Sequence, residues 1–305
     1  MKGIGKVLTY IAIFSGLGIA FMFVASFTML VSLMHESMQE RTAEKVTSDK
    51  AVTVLELEGD IFESNDFLEE LREAAEDEAV KGIVVKIDSP GGAVGTSEAI
   101  YQRIKRYAAS KPVVCSLGNM AASGGLYVAM GCSKVVTYEG TITGSIGVIL
   151  MMPNFTEAMK DLGVDVTTVK SGKFKDAGSP VRPVTEEDRA VLQNVVDTAH
   201  SQFVARIVAA RGLTEEQVRE FADGRVILGA TAVELGLADA IGDEVTAAKL
   251  ALEVAGIEGE PELVYPDEPD GFMKVLKSFG EAQVIQWVST LWRGPVLYYG
   301  DLAIR

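Results

Sequence analysis

The chain has 305 residues, 48% apolar and 23% charged, a balance that supports a sizeable folded core and excludes a low-complexity or disordered chain. Asp and Glu outnumber Lys and Arg by 43 to 28, and the resulting net charge of -15 repels phosphate, so nucleic acid is not an expected partner. With only two histidines (His35, His200) and two cysteines (Cys115, Cys132), no familiar metal-ligand spacing exists, and neither a metal nor a cofactor is expected.

Residues 7–34 contain no charged side chain and are mostly Ile, Leu, Val, Phe, Ala or Met. Such a run exceeds the ~20 residues that cross a bilayer as a helix. It is too long for the apolar core of a cleaved leader, and no small-x-small cleavage site follows it. A buried core helix is rarely apolar on every face for so many turns. Lys2, Lys6 and the terminal amine precede the run, and the mixed flank His35, Glu36, Glu40, Arg41, Glu44, Lys45 follows it. The positive-inside bias therefore predicts a cytoplasmic N-terminus and an exported body. This divides the chain into a tip and transmembrane anchor (1–35), a polar stalk (36–50), a main domain (51–260) and a C-terminal extension (261–305).

From residue 51, strand-like and helix-like patterns alternate. Residues 51–57 are β-rich, and residues 67–75 have helical spacing with an acidic outer face. Residues 82–87 (GIVVKI) form the short apolar run of a strand buried in a parallel sheet. A helix is predicted over 93–109 and a strand over 112–116. A turn with a small-residue helix start follows over 118–130, then a strand over 134–138. Further on come a helix over 155–162, a strand over 164–169, and a long helix over 185–210 capped by Thr185 with Asp188 three residues on. Repeated βα order means an α/β domain with a largely parallel sheet. Cys115 reads as a small buried thiol in an apolar strand. Whether it pairs with Cys132 in an oxidising compartment is left open by the sequence.

Two glycine-bearing turns follow apolar strands, where open α/β sheets gather their ligands. Ser89-Pro90-Gly91-Gly92 offers backbone N–H groups that no Cβ shields, suited to a tetrahedral oxyanion or to a plain strand-to-helix turn. Gly118-Asn119-Met120-Ala121-Ala122-Ser123-Gly124-Gly125 places a serine among small residues at a helix start. Ser123 fits two roles, a nucleophile with the Gly124 N–H as oxyanion donor, or a helix N-cap. A serine nucleophile needs a base. His200 lies inside the long predicted helix and His35 beside the membrane, and no G-x-S-x-G elbow is present, so neither histidine suits a triad. A lysine held neutral by burial is the substitute, and Lys170, Lys173 and Lys175 cluster in one segment.

Four motifs in order, Ser-Pro-Gly-Gly (89–92), Met-Ala-Ala-Ser-Gly-Gly (120–125), Thr-Gly-Ser-Ile-Gly-Val (143–148) and Ser-Gly-x-x-Lys-Asp (171–176), resemble the signal peptide peptidase A family. These are bacterial serine–lysine peptidases with a Clp-protease/crotonase-like fold, and the resemblance covers residues 51–250 and the N-terminal anchor. It implies that Ser123 is the nucleophile and Lys175 the general base, three places after Gly172, with Lys173 the weaker candidate. Ser145 would orient the lysine, and Gly92 and Gly124 would supply the oxyanion N–H groups. One motif set implies the short form of the family: a membrane-mounted homo-oligomeric ring of octameric type, whose neighbouring protomers complete each site. The implied activity is digestion of cleaved signal peptides and other apolar peptides at a bacterial inner membrane, with the catalytic domain on the exported side. A crotonase-like enzyme acting on acyl-coenzyme A and an inactive scaffold of the same fold are the competing functions. The tail carries Val284, Ile285, Val288, Leu291 and Trp292 at helical spacing. It is suited to packing on the body or a neighbour, to the membrane interface, or to threading toward an active site as an extended strand at 295–299.

Overall fold

The computed structural model describes residues 48–266 and the backbone of Tyr298–Tyr299. The centre of the fold is three long parallel strands rich in β-branched residues, β1 (Ala51–Glu58), β2 (Val80–Ser89) and β4 (Val113–Ala122). Helix α1 (Asn65–Glu76) connects β1 to β2, and a two-residue strand β3 (Gly92–Ala93) with α2 (Val94–Ala108) connects β2 to β4. After β4 come α3 (Gly124–Ala129), β5 (Lys134–Thr137) and β6 (Ile142–Gly144). The chain continues through α4 (Thr156–Asp161), α5 (Glu186–Arg211), α6 (Glu215–Arg219), β7 (Val226–Leu228) and α7 (Gly229–Glu234). It then forms β8 (Ala240–Ile241), α8 (Glu244–Ala255), β9 (Glu262–Val264) and β10 (Tyr298–Tyr299).

The sheet runs β7-β6-β4-β2-β1-β9 and forks at β4. The first half of β4, Val114 to Leu117, pairs with β5, and its last residues, Met120 to Ala122, pair with β6. Among the described residues, β6 and β7 are the one antiparallel pair within this sheet. Strand alternation sorts the core into two faces. Val84, Val114 and Val136 pack with Ala247, Ala248, Ala251 and Leu252 of α8. Ile83, Val85, Ile87, Val113 and Leu117 belong to the larger cluster with Ile100, Ile104, Leu126, Tyr127, Phe203 and Ile207. Each such Val, Leu or Ile contributes about 1.5–3 kcal/mol when fully removed from water. Helix α8 approaches so closely that a Cβ on Gly82 would lie 2.9 Å from the Ala251 Cβ.

The expected α/β architecture with a mostly parallel sheet is therefore present, and Thr185 and Asp188 form the expected reciprocal cap at the start of α5. Two expectations need correction. Residues 164–169 form no strand; Val164, Val166 and Val169 are exposed, because alternation supplies a strand pattern but no neighbouring edge pairs with it. Strand β4 does not end at residue 116 but runs through Gly118 and Asn119 to Ala122, which lengthens the strand that leads into Ser123. Cys115 and Cys132 form a disulfide that ties β4 to the exit of α3. The anchor, the stalk up to residue 47 and the apolar tail positions 284–292 lie outside the described residues. Among the described residues no helix is long and apolar enough to cross a membrane.

Candidate active site

The site is built where β4 changes partners. Between Ile87 and Ser89 of β2, β4 advances from Leu117 to Ala121, so its segment at Gly118-Asn119-Met120 bulges. The Asp88 carboxylate collects the bulge's donors, accepting from the Asn119 Nδ2 at 2.7 Å and from the Asn119 and Met120 backbone N–H groups at 3.2 Å. The bend delivers the end of β4 onto β6, and the Ser123 N–H donates to the Gly144 carbonyl at 2.9 Å.

Ser123 then stands at the N-cap position of α3, yet it does not act as a cap. Its hydroxyl makes no capping bond, and its φ of 53° is not the extended conformation that caps adopt. Its carbonyl does accept the first helical bond, from the Tyr127 N–H at 2.8 Å. Ser123 is completely buried, and its Oγ has no hydrogen-bond partner. Among the described residues, the non-glycine positions with positive φ are Ser123 and Ser145. Such backbone costs roughly 1–3 kcal/mol per residue and tends to collect at functional sites.

The Ser89-Pro90-Gly91-Gly92 turn approaches from β2. Gly91 has φ 112°, its N–H is taken by the Ser89 Oγ at 3.1 Å, and its carbonyl accepts from the Ile61 N–H at 2.8 Å. No side chain fits at Gly92, where a Cβ would sit 2.4 Å from the Ile61 carbonyl oxygen. The two turns meet at Gly124. A Cβ there would lie 3.0 Å from the Gly92 nitrogen, 3.1 Å from the Gly91 Cα and 2.6 Å from the Ser97 Oγ. Gly124 is the first residue of α3, so its own N–H has no carbonyl a turn earlier to bond. Beneath the turn, the Tyr127 hydroxyl donates to the Glu98 carboxylate, which Arg206 also pairs at 2.9 Å, fixing α3 against α2 and α5. Alongside, β10 runs antiparallel to β3, with Tyr299 opposite Gly92 and Tyr298 opposite Ala93.

Ser145 is half-buried, directly after the Gly144 carbonyl that holds Ser123, and its N–H donates to the Arg225 carbonyl at 2.7 Å. Ser123, Ser145, Gly92 and Gly124 thus belong to one cluster of turns. Lys175 does not join them within one chain. Every residue from 161 to 175 is exposed, and the Ser123 Oγ receives no bond from Lys175. The segment's other lysines are engaged: Lys173 pairs with Glu187 at 2.6 Å, and Lys170 pairs with Asp176. Just after Lys175, Arg182 clamps Asp176 and the buried Asp188 at 2.8 and 2.6 Å, and its guanidinium holds both carboxyls well below the usual carboxylate range. His200 donates to or accepts nothing near Ser123; its Nε2 lies 2.9 Å from the Ala222 carbonyl, an intrafold contact. Sequence reasoning missed Asp88, Arg182 and Ser97: Asp88 acts across strands on the β4 bulge, Arg182 acts through its clamp on Asp176 and Asp188, and Ser97 carries a buried hydroxyl without a partner, none of which residue spacing announces.

The chain matches the model of the family described as Peptidase family S49 over residues 105–258, and that of Clp protease over residues 36–140. A provisionally named protease of Synechocystis sp. is 40% identical over 210 residues, covering 68% of this chain and 76% of the relative. A provisionally named signal peptide peptidase of Enterococcus faecium is 37% identical over 217 residues, covering 67% of this chain and 63% of its own length. Protease 4 of Salmonella typhi is 33% identical over 210 residues, covering 68% of this chain and 34% of its own length.

Proposed function

The chain belongs to peptidase family S49 and has a Clp protease-like fold, and from that premise we propose that it is a membrane-mounted endopeptidase that cleaves apolar peptides, remnant signal peptides among them, by a Ser–Lys mechanism. The observation that carries this reading is the Ser123 hydroxyl, which is buried, off the ordinary cap geometry and unspent, beside Gly92 and Gly124, where the two turns approach too closely for a Cβ. In the proposed reaction the Ser123 Oγ attacks the scissile carbonyl carbon and passes its proton to the neutral amine of Lys175. The carbonyl oxygen, now negative, is held by the Gly92 and Gly124 N–H groups. Collapse breaks the C–N bond, and the lysine returns the proton to the leaving amine. Water then repeats the sequence on the acyl-enzyme, with the lysine again as base.

A lysine works as a base near neutrality only where burial disfavours its charged form, and in a single chain Lys175 is exposed. The mechanism therefore takes Lys175 from one protomer to Ser123 of a neighbour in a ring. Two features support it. The segment that carries Lys175 exposes Leu162, Val164, Val166, Val169 and Phe174, apolar surface suited to an interface. Among the described residues Lys175 has no ion-pair partner, whereas Lys170 and Lys173 do. Ser145 would hold the incoming amine. We further propose that residues 7–34 anchor the protein in a bacterial inner membrane with the body on the exported side. The Cys115–Cys132 disulfide favours that side, since oxidising compartments preserve such bonds.

The test is complementation. Ser123→Ala and Lys175→Ala should each reduce hydrolysis of an apolar peptide by at least ~10³-fold. Mixing the two inactive proteins should restore activity if the lysine acts in trans. Covalent labelling of Ser123 by a mechanism-based acylating inhibitor should be lost in Lys175→Ala. Full activity of that variant would remove Lys175 from the mechanism.

A further inference from the structure

Among the described residues, the buried side-chain polar atoms without a hydrogen-bond partner are the hydroxyls of Ser97 and Ser123. Both side chains are on residues with no solvent exposure, and they flank the same glycine. Ser97 lies in the first turn of α2, and its Oγ stands 2.6 Å from where a Cβ of Gly124 would be, while the Gly92 nitrogen stands 3.0 Å from that same point. A buried hydroxyl left without a partner costs about 1–3 kcal/mol, and a serine inside a helix commonly escapes that cost by bonding a carbonyl one turn back. Ser97 makes no such bond. An alanine in its place would be better for the resting fold, so the hydroxyl calls for a role outside the resting fold.

Resting on the peptidase reading above, we propose that Ser97 is a third donor of the oxyanion site. Its O–H turns toward the substrate carbonyl oxygen as that oxygen gains negative charge between the Gly92 and Gly124 N–H groups. The hydroxyl shares its surroundings with both donors and has no competing acceptor. The bond forms only when the pocket is filled, so it stabilises the transition state more than the free enzyme, which is the condition for raising kcat. Ser97 gives up no proton and forms no covalent bond; the Ser123 proton still goes to the base.

The proposal separates activity from stability. Loss of one oxyanion donor typically lowers kcat by about 10²–10³-fold, and two amide donors would remain here. In full-length protein, Ser97→Ala should lower kcat for an apolar peptide by ~10- to 100-fold. KM should change by less than ~3-fold, because the bond is absent from the ground state. The melting temperature should stay the same or rise, since a buried unsatisfied hydroxyl has been removed. Ser97→Cys, which keeps a weak donor at nearly the same volume, should fall between serine and alanine in kcat. The proposal is overturned if Ser97→Ala keeps kcat within ~2-fold of the unmodified enzyme. It is equally overturned if kcat falls only alongside a lowered melting temperature, with Ser97→Cys no better than alanine. Failure of the peptidase reading itself looks different, because the unmodified protein would then neither hydrolyse peptide nor take an acylating label at Ser123.

Discussion

Replacing Gly124 by alanine tests the convergence of the two turns directly. The added Cβ would meet the Ser97 Oγ at 2.6 Å, the Gly92 nitrogen at 3.0 Å and the Gly91 Cα at 3.1 Å. An ordinary contact needs ~3.5 Å or more, so neighbours on two different elements must retreat by roughly half an ångström to almost one. The Ser97 side chain is short and packed inside α2, and the Gly91–Gly92 backbone is pinned by its bonds to Ile61 and Ser89. Neither can yield cheaply. Overpacking of this kind typically costs about 1–3 kcal/mol, a shift of ~2–4 °C in melting temperature per kcal/mol for a domain of this size. The catalytic loss should be much larger than the stability loss. A misplacement of about 1 Å at a reacting centre costs on the order of 10²-fold in rate, and here it moves both proposed amide donors at once. Gly95→Ala is the internal control. Its Cβ would meet nothing within 4 Å, the position is exposed in the first turn of α2, and alanine should stabilise by about 0.5–1 kcal/mol with kcat unchanged. Steady-state kinetics and thermal melts on both variants decide the matter. If Gly124→Ala retained full kcat, the two turns would not be the oxyanion site.

Two other perturbations follow from the same architecture. The Cys115–Cys132 bond closes a loop of sequence separation 17 that contains the whole Ser123 turn. Loop-closure entropy for that length gives about 3 kcal/mol, so a reductant, or the Cys115→Ala/Cys132→Ala protein, should lower the melting temperature by roughly 6–12 °C; an unchanged melt would refute a stabilising bond. Arg182 holds the carboxyls of Asp176 and Asp188 below the ordinary range. Because both native values are depressed, their contribution is complete above the unfolded carboxyl value near ~4 and is lost as pH falls through it toward the native values. Arg182→Gln should therefore melt lower at pH 7 and lose less of its remaining stability between about pH 5 and 3 than the unmodified protein. Parallel pH–melting curves for the two would show that the clamp is not what sets the acid response.

Much of the fold was legible because its signals are local. The short apolar run at residues 82–87 lies inside β2, a central parallel strand as its composition suggests, and Thr185 with Asp188 marked a helix start where the structure forms the reciprocal cap. The valines at 164, 166 and 169 misled for an instructive reason. Alternation reports that one face is to be buried, but it does not say whether the burying surface belongs to the same chain, and in this chain those side chains meet solvent. The bulge in β4 was not legible either, since nothing in Gly118-Asn119-Met120 announces a strand; the Asp88 carboxylate, thirty residues earlier, makes it one. For Ser123 the sequence left two roles open, and the N-cap role is set aside by two quantities it cannot display, a φ of 53° and a hydroxyl without a capping bond.

The forked sheet gives a physical reason for the strained backbone at Ser123. A strand that stayed paired with β5 along its whole length would feed straight into the next turn with relaxed backbone. Instead β4 leaves β5 after Leu117, bulges against Asp88 and is recaptured by β6, so its last peptide is fixed by the Gly144 carbonyl while α3 already begins at the next residue. Ser123 must turn the chain within a single residue, and that requirement is met by its positive φ. The same constraint acts on Ser145, which follows Gly144 at the end of β6 and is held by the Arg225 carbonyl. The strained serines are therefore not independent. Each sits at the end of one of two strands that pair at the fork, and the Ser123 N–H holds the carbonyl of the residue just before Ser145. Relaxing one should move its neighbour, so Ser123→Gly and Ser145→Gly, which remove the steric cost of positive φ, should stabilise the fold less in combination than the sum of the two single changes.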